Sequence, residues 1–288
     1  MRRSQKSKQE VSVVLVSYNT KDITDNCLAS LKKQDQDSSL QIIVSDNGST
    51  DGSVEVIRSK YPDVELIENK ANLGFSKGNN KARKYIKSEN VLFLNTDTIV
   101  DKKSIKEPLQ YIKEHAEIGA ITCRVILPNG KDDPDTIRSF PFPLIAAKHF
   151  LGLESEFRYP NLDRSKQHEV DVIQGAFLLT RKSILDEVGW FDEDYFLDGE
   201  DIDLCWRIKK AGFKLVYYPK SKITHIKKAS KSADRKKSLQ SVLRGVEAME
   251  LFYKKRLSQQ YTFLTNWLVL GGIQLLKLTR IFKYYLHI

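Results

Sequence analysis

Cysteine is scarce in this chain of 288 residues, where only Cys27, Cys123 and Cys205 occur, widely spaced and odd in number. That count excludes a disulfide framework and a cysteine-rich zinc site, and it favours a reducing compartment. Arg2 and Arg3 are followed by polar residues rather than by an apolar segment, so we expect no secretory signal and a cytoplasmic N-terminus. Internal repeats are also absent.

The remaining composition is that of an ordinary globular protein. Hydrophobic residues make up 41% of the chain and charged residues 29%, which excludes a disordered, collagen-like or polytopic membrane chain. At roughly 100 to 200 residues per domain, the length predicts one large domain with an appendage.

The formal net charge of +10 points at first to nucleic acid, but the charge is unevenly distributed. Residues 1–8 carry four basic and no acidic side chains, residues 9–206 have a net charge of −10, and residues 207–288 one of +16. The basic stretch 227–237 lacks the interleaved aromatic side chains that stack on bases. We therefore predict an acidic body with basic ends and no nucleic-acid partner.

Short apolar runs alternate with helical patterns in the first third of the chain. The runs 11–17, 40–46, 64–68 and 91–97 predict strands, and the segments 22–33, 54–60 and 77–87 predict helices. Uniformly apolar strands indicate a parallel sheet that helices cover on both faces. The carboxyl ends of such strands meet at one edge, where open α/β sheets bind ligands. We therefore predict an α/β fold with its site at that edge.

The second half of the chain is less regular. Residues 118–123 and 170–180 predict strands, and the runs KLVYY and KITHI predict two more. Residues 182–188 and 199–212 predict helices, whereas 128–167, rich in Pro, Asp and aromatic residues, predicts long loops over a site. The expected organisation is a basic flexible tail at 1–10, a domain carrying the site at 11–230, and a basic, amphipathic helical region at 231–288.

The helical region combines a basic pattern at 235–257 with an apolar segment at 261–288. Asn266, Gln274 and Lys277 interrupt the apolar segment, which favours a helix lying in a membrane interface over one that spans it. Trp267 suits the headgroup region, and the surrounding cations suit anionic lipid. We predict a peripheral location on the inner face of the plasma membrane. Packing on the protein's own domain or formation of a homodimer are the alternatives.

Polar segments follow three of the predicted strands: SYNT at 17–20, SDNGSTDGS at 45–53 and NTDT at 95–98. Asp46, in SDNGSTDGS, could accept hydrogen bonds from a nucleoside or cap a helix. Asp97, in NTDT, could ligate Mg²⁺ or Mn²⁺ and through it a diphosphate, or cap a loop. The segment NLGFSKGNN at 72–80 is neither a Walker A motif nor GxGxxG, yet its helix entry could hold a nucleotide, and an ordinary turn explains it equally well.

Seven acidic residues crowd into FDEDYFLDGEDID at 191–203. Such a density cannot all be buried, so many of these carboxylates must be solvated, bound to a cation or placed at a helix start. Asp201, held near other carboxylates, is a candidate general base with a raised pKa. His225 stands alone in a strand-like segment, and a lone histidine is more often structural than a ligand.

Six motifs occur together and in order: VVLVSYNT, SDNGSTDGS, NLGFSKGNN, FLNTDT, QGAFLLTRKSILDEVGWFDEDYF and DGEDIDLCWRIKKAGF. In this arrangement the chain resembles family 2 glycosyltransferases of the GT-A fold, especially the rhamnosyltransferase-like branch, from Val11 to about Ser230. The resemblance implies a mostly parallel central sheet flanked by helices. It also implies inverting transfer of a sugar from dTDP-rhamnose or a UDP-hexose to a hydroxyl of a glycan or lipid-linked acceptor in cell-surface polysaccharide synthesis.

The resemblance implies roles for individual residues. Asp201 matches the acid that deprotonates the acceptor hydroxyl, with Glu200 beside it. Asp97 matches the last acid of the metal-binding DxD motif, whose first acid is replaced here by Asn95, and His225 matches the histidine that completes the metal site. The implied donor-binding residues are Ser17, Tyr18, Asn19, Asp46, Asn72, Gly74, Asn79, Asn95, Thr96, Gln174 and Gly175.

Two other functions compete with this interpretation. A nucleotidyltransferase would need a basic, glycine-rich loop directly after the first strand, and SYNTKD is not one. A non-catalytic module that binds a nucleotide sugar or a membrane would not need the acids Asp97, Glu200 and Asp201, all of which are present.

Overall fold

The protein is an α/β structure in which a large sheet is covered by helices on both faces. The computed structural model describes residues 9–34, 39–153, 155–227 and 238–286. The strands are β1 (Val11–Ser17), β2 (Leu40–Asp46), β3 (Glu65–Glu68), β4 (Asn90–Leu94), β5 (Thr98–Val100), β6 (Ile118–Ile126), β7 (Ile137–Arg138), β8 (His168–Val170), β9 (Val172–Ile173), β10 (Phe177–Arg181) and β11 (Lys214–His225). The helices are α1 (Lys21–Gln34), α2 (Ser53–Lys60), α3 (Gly74–Lys81), α4 (Lys106–Glu114), α5 (Pro143–Phe150), α6 (Lys182–Val188), α7 (Glu200–Lys210), α8 (Leu239–Phe252) and α9 (Phe263–Tyr285).

Nine of the described strands form one sheet, in the order β3-β2-β1-β4-β10-β6-β11-β5, with β8 paired to β11. Strands β1 to β4 are mutually parallel, and β6 is parallel to β11. Since β10 is antiparallel to both β4 and β6, the two parallel blocks point the same way. The sheet is therefore mostly parallel, as predicted. The carboxyl ends of β1, β2 and β4 lie at one edge, together with the residues that precede β10.

The central strands are buried on both faces. Along β1, Val13 and Leu15 belong to one buried cluster and Val14 to the other. The first cluster includes residues of α1, α2 and α4, and the second includes residues of α6, α7 and α8. Full burial of an aliphatic side chain stabilises a fold by about 1.5 to 3 kcal/mol, so both layers hold the sheet in place. This two-sided burial is the reason that the strands read as uniform apolar runs.

The alternation of strands and helices predicted for the first third of the chain is present, with three local differences. The helix predicted at 77–87 begins earlier, at Gly74, and gives way to a 3₁₀ turn at Ala82–Tyr85. The strand predicted at 91–97 ends at Leu94, because the chain turns through 95–97 before β5 begins. The strand predicted at 170–180 is divided among the end of β8, β9 and β10, with interruptions at 171 and 174–176.

The stretch 128–167 is not only loop, and the prediction was wrong there. It contains β7, the helix α5 and a 3₁₀ turn at Glu156–Arg158. Helix α5 has no buried residue, so its sequence carries no apolar periodicity to reveal it. The two runs KLVYY and KITHI form one strand, β11, whose register shifts between Tyr218 and Lys222.

The C-terminal region is divided between core and surface. Ala248 and Phe252 of α8, with Tyr253 and Leu257 of the π-helical turn that follows, lie in the same buried cluster as Trp206 of α7. Residues 235–237 of the predicted basic helix lie outside the described residues. Helix α9 contacts α8 but has no buried residue. Among the described residues, no helix combines the length and apolar character needed to cross a membrane.

Candidate functional site

The ends of β1 and β2 form one hydrogen-bonded unit at the sheet edge. Asp46 is buried, and its carboxylate accepts hydrogen bonds from Ser17 Oγ at 2.7 Å and from Ser49 N and Oγ at 2.8 and 2.6 Å. Asn19 adopts a left-handed backbone with φ 51°, and its Oδ1 accepts from Thr50 N at 2.8 Å. Parallel register places Ser17 opposite Asp46. The predicted donor residues of these two strands therefore do lie together, and Asp46 also fixes the turn after β2.

The loop before α3 is fixed from both sides. Asn72 Oδ1 accepts from Gly74 N at 3.0 Å, and Asn47 Nδ2 donates to Gly74 O at 3.0 Å. Gly74 has φ 77°, and a Cβ there would lie 2.3 Å from Phe196 O. The same carbonyl accepts from Phe75 N at 2.7 Å. The predicted nucleotide loop therefore touches the acidic segment 191–199, so that the two motifs share one wall.

Two of the predicted donor residues differ in their exposure. Asn79 is buried in α3, and its Nδ2 donates to Phe75 O at 2.9 Å, one helical turn earlier. Tyr18 is an exposed aromatic ring at the rim of the site. The side chain of Asn79 thus supports the helix that follows the loop, whereas that of Tyr18 remains available for contact.

A histidine and two aspartates meet where the end of β11 pairs with the start of β5. His225 Nε2 lies 3.1 Å from Asp97 Oδ1, and its Nδ1 lies 3.0 Å from Oδ2 of the fully buried Asp133. Lys227 Nζ donates to Asp133 Oδ1 at 2.7 Å. Burial alone would lower the pKa of His225, but the hydrogen bonds to Asp133 and Asp97 raise it to about 9. The two carboxylates therefore favour a proton on each ring nitrogen, and a divalent cation would have to displace the proton on Nε2 to bind there.

The Asp97 and His225 pair fits a divalent cation in part. A carboxylate oxygen and an imidazole nitrogen are ligands that Mn²⁺ accepts, and the hydrogen bond from His225 Nδ1 to Asp133 is the arrangement that orients a metal-binding histidine. Across the described parts of the chain, no group of three or more His, Cys, Asp or Glu side chains is arranged to hold a metal. The remaining ligands would have to come from water and substrate phosphates, as Mg²⁺ commonly takes them.

The loops after β4 and before β10 contact each other. Asn95 N donates to Ala176 O at 3.3 Å, and Asn95 O accepts from Thr98 Oγ1 at 2.7 Å. Thr96, the residue after Asn95, is buried. The segment that holds Gln174 and Gly175 is thereby fixed to the segment that leads to Asp97.

Asp201 occupies the first turn of α7 and faces this same loop. Its Oδ2 accepts from Arg138 Nη2 at 2.5 Å and from Gly175 N at 3.3 Å, and its Oδ1 accepts from Ile202 N at 2.8 Å. The side chains of Asp201 and Arg138 are both largely buried. In this arrangement the carboxylate predicted to act as a base is paired with a guanidinium group.

Glu200 differs from its neighbour in having no counter-ion. Its side chain is buried, and Oε2 has no hydrogen-bond partner within the described residues. Burial and the adjacent charge of Asp201 raise the pKa of Glu200 well above its usual value. Asp198, with a left-handed φ of 72°, has its pKa raised by burial and by Asp201 as well. At the start of α7, Glu200 is therefore the acid with a raised pKa and no ion-pair partner among the described residues, while Asp201 has a cationic partner.

Three residues of this edge were not predicted from the sequence: Arg138, Asp133 and Phe196. Arg138 and Asp133 lie in the stretch expected to be loops over the site, and that position was the only signal for them. Phe196 belongs to the acidic segment, but it contacts Gly74 through its backbone carbonyl, which no side-chain pattern reveals.

Comparisons with known proteins identify the relatives of this chain. The family model of glycosyltransferase like family 2 matches residues 8–248. The chain is 30% identical over 241 residues to the N-acetylglucosaminyl-diphospho-decaprenol L-rhamnosyltransferase of Mycobacterium tuberculosis, covering 77% of this chain and 78% of that protein. It is 28% identical over 222 residues to the rhamnosyltransferase WbbL of Escherichia coli K12, covering 73% and 80% of the two chains.

Solved structures share the fold at low sequence identity. The mannosyltransferase PcManGT from Pyrobaculum calidifontis, in complex with GDP-Man and Mn²⁺, superposes with a TM-score of 0.60 at 16% identity, over 87% of this chain and 66% of that one. GalNAc-T7 with UDP, GalNAc and Mn²⁺ superposes with a TM-score of 0.64 at 14% identity, over 86% of this chain and 49% of that one. These likenesses establish the predicted GT-A fold, and with the family match they show that the chain belongs to glycosyltransferase family 2, in the neighbourhood of its rhamnosyltransferases.

Proposed function

We propose that the protein is an inverting, metal-dependent glycosyltransferase that moves a rhamnosyl or hexosyl group from a nucleotide diphosphate donor to a hydroxyl of a lipid-linked glycan. The observation that carries this proposal is the position of Asp201, which meets Gly175 and Arg138 in the loops beside the Asp97 and His225 pair. The rhamnosyltransferase names of the two relatives support the type of sugar, and the name of the mycobacterial protein supports a lipid-linked acceptor.

On the donor side, Asp46 has one open position for a nucleoside. A carboxylate offers about four lone-pair sites, and hydrogen bonds from Ser17 and Ser49 fill three of those on Asp46. The remaining site can accept one N–H group of a base. Tyr18, Asn19, Asn72, Gly74 and Asn79 would shape the rest of that pocket, and the exposed ring of Tyr18 can stack on the base.

Asp97 and His225 would hold the divalent cation, Mg²⁺ or Mn²⁺, with Asn95 and Thr96 beside them. The cation, when bound, supplies positive charge to the leaving nucleoside diphosphate. His225 would use Nε2 as the ligand and donate its Nδ1 proton to Asp133, which fixes the plane of the ring. The structures of PcManGT and GalNAc-T7, both solved with Mn²⁺, support a cation in this fold.

Asp201 would take the proton from the acceptor hydroxyl as the sugar is transferred. An inverting displacement needs one base on the face of the sugar opposite the leaving group and no covalent nucleophile. Burial and the charge of Asp201 raise the pKa of Glu200, which favours the protonated form of its carboxyl group. Gln174 would accept a hydrogen bond from a sugar hydroxyl, since its Oε1 is buried without a partner within the described residues.

The C-terminal helix would hold the enzyme on anionic lipid at the inner face of the plasma membrane. Phe263 and Trp267 of α9 are 85% and 65% exposed, and Leu268 and Leu275 are similarly uncovered. The sequence from Ser258 to the end contains cations but no Asp or Glu, which suits an anionic surface. Pairing of two α9 helices in a homodimer is the alternative occupant of this surface.

Replacement of Asp201 by Asn tests the proposal. We expect Asp201→Asn to abolish transfer to a prenyl-diphosphate-linked N-acetylglucosamine while nucleotide affinity, measured by calorimetry, stays within a few fold. Asp194→Asn is the matched control, because Asp194 lies in the same acidic segment but has a largely exposed side chain. Transfer retained by Asp201→Asn would exclude Asp201 as the base.

A second variant tests the metal-binding pair. We expect Asp97→Ala to lose the increase in donor affinity that Mn²⁺ produces in the wild type, measured by calorimetry with and without the metal. Mn²⁺-dependent donor binding that persists in Asp97→Ala would contradict the proposed ligand set.

A further inference from the structure

We infer that Arg138 and Arg244 form a site for the phosphate of a prenyl phosphate or diphosphate on the acceptor, and that this phosphate draws Arg138 away from Asp201. The inference rests on the proposed function and deepens it by naming what the enzyme recognises besides the sugar. Prenyl chains linked through phosphate are the acceptor class that the site would take.

The first observation is the position of Arg244. Ala248 of α8 packs on the start of α7, where a Cβ at Gly199 would lie 3.0 Å from the Ala248 Cβ. Arg244 lies one turn before Ala248, on the same face of α8. It is half-buried, and within the described residues it makes no hydrogen bond or ion pair. A guanidinium group without an ion-pair partner among the described residues is thus placed near the start of α7.

The second observation is that the positive charges of both arginines lower the pKa of one carboxyl group, that of Asp198. Asp198 has its pKa raised by burial and by Asp201, and the positive charges of Arg244 and Arg138 oppose that rise. Arg138 comes from β7 and Arg244 from α8, so the two cations approach Asp198 from different elements. This corner therefore offers two guanidinium groups, of which only Arg138 has an ion-pair partner among the described residues, Asp201. One more anion can be accommodated.

The third observation is an unused hydrogen-bond donor. Arg138 donates a hydrogen bond from Nη2 to Asp201, while its Nε is buried without a partner within the described residues. Ser139 Oγ, the next residue, is likewise buried and unpartnered among them. Buried donors in native proteins nearly always have partners, so two adjacent exceptions indicate a ligand that accepts hydrogen bonds. A phosphate matches the fork of a guanidinium group and can accept from Nε and Nη together.

The fourth observation selects a lipid phosphate over a free one. Helix α5 begins shortly after Arg138 and exposes Leu144, and Leu151 just beyond it is exposed as well. Arg280 of α9 lies 5.7 Å from the ring of Phe150 in α5 and donates to the backbone of α8 at Val242. The apolar surfaces of α5 and α9 therefore adjoin the helix that carries Arg244. A phosphate at the two arginines would have its prenyl chain against these exposed leucines.

Binding of farnesyl diphosphate to the full-length protein tests the inference independently of transfer. Calorimetry in EDTA removes any contribution from a metal at Asp97. We expect Arg244→Gln to weaken binding about tenfold or more, the usual effect of losing a charge-assisted contact to phosphate, and Arg244→Lys to restore part of it. Arg58→Gln, an exposed arginine on α2, is the control that should change affinity less than twofold. Inorganic pyrophosphate should bind more weakly than farnesyl diphosphate.

Asp201→Asn tests the exchange of partners. Because Arg138 would no longer be held by a carboxylate, we expect this variant to bind farnesyl diphosphate several-fold more tightly than the wild type, although it transfers no sugar. Equal affinity of Arg244→Gln, Arg244→Lys and the wild type would overturn the phosphate site, as would equal affinity of the wild type for farnesyl diphosphate and farnesol. Unchanged or weaker binding by Asp201→Asn would overturn the exchange. Farnesyl diphosphate binding without any sugar transfer would contradict the proposed function alone.

Discussion

The replacement Arg256→Ala tests whether the turn after α8 stabilises the catalytic helix. Asp203 of α7 is completely buried, and its Oδ1 accepts from Arg256 Nε at 2.6 Å. Its Oδ2 accepts from Arg207 Nε at 2.8 Å. A hydrogen bond to a charged group contributes about 1.5 to 3 kcal/mol, and an acceptor left buried without a partner costs about 1 to 3 kcal/mol. Since Arg207 still neutralises the carboxylate and the Tyr195 hydroxyl can still donate to Oδ1, at 3.5 Å, we expect a total loss of about 2 to 4 kcal/mol.

Urea unfolding followed by circular dichroism measures this loss in the free energy of unfolding. Lys254→Ala is the matched control, two residues earlier in the same segment. Its side chain is 55% exposed and pairs with Glu250 one turn away, so we expect a change of at most about 0.5 kcal/mol. If Arg256→Ala destabilises the protein no more than Lys254→Ala does, the view that the C-terminal region is part of the catalytic body is refuted.

Three further predictions follow from single contacts. Burial and Asp201 raise the pKa of Glu200, so the folded protein keeps a proton there that the unfolded chain loses above about pH 4.5. This group therefore lowers the free energy of unfolding as pH rises. Glu200→Gln should flatten that fall between pH 5 and 8, measured by urea titrations. Gly74→Ala should lower the melting temperature more than Gly130→Ala, because both have φ near 78° but only Gly74 would place its Cβ against Phe196 O. Trp267→Glu should reduce co-sedimentation with phosphatidylglycerol vesicles while leaving the fold intact, since the side chain is exposed. An unchanged pH dependence would contradict the account of Glu200. Equal melting temperatures of the two glycine variants would contradict the contact of Gly74, and unchanged sedimentation would contradict the role of Trp267.

The parts of the fold that were predictable are those that local sequence encodes. Strand β1 reads as VSVVLVS because both of its faces are buried, and its register with β2 then places Ser17 beside Asp46. The neighbouring polar strand ends could therefore be predicted from two short runs and the geometry of parallel sheets. The start of α7 could be predicted in the same way, because its acidic residues begin a helical pattern that ends at Gly212.

Other parts depend on contacts between distant segments and have no local signal. Arg138 meets Asp201 across 63 positions of sequence, and nothing in the residues around it distinguishes this buried arginine from an exposed one. Helix α5 buries no side chain, so it has no periodic pattern. The pairing of Arg256 with Asp203 likewise joins a segment predicted as an appendage to the catalytic helix.

The anomeric configuration of the product tests the central claim most directly. The account assigns one base, Asp201, and no nucleophile to the sheet edge, so the full-length protein should form a glycoside whose anomeric centre is opposite to that of the nucleotide sugar. Nuclear magnetic resonance of the purified product measures this from the coupling constants at the anomeric carbon. An inverted product that disappears in Asp201→Asn is the predicted result. A product with retained configuration, or one that Asp201→Asn still forms at the wild-type rate, would contradict the account.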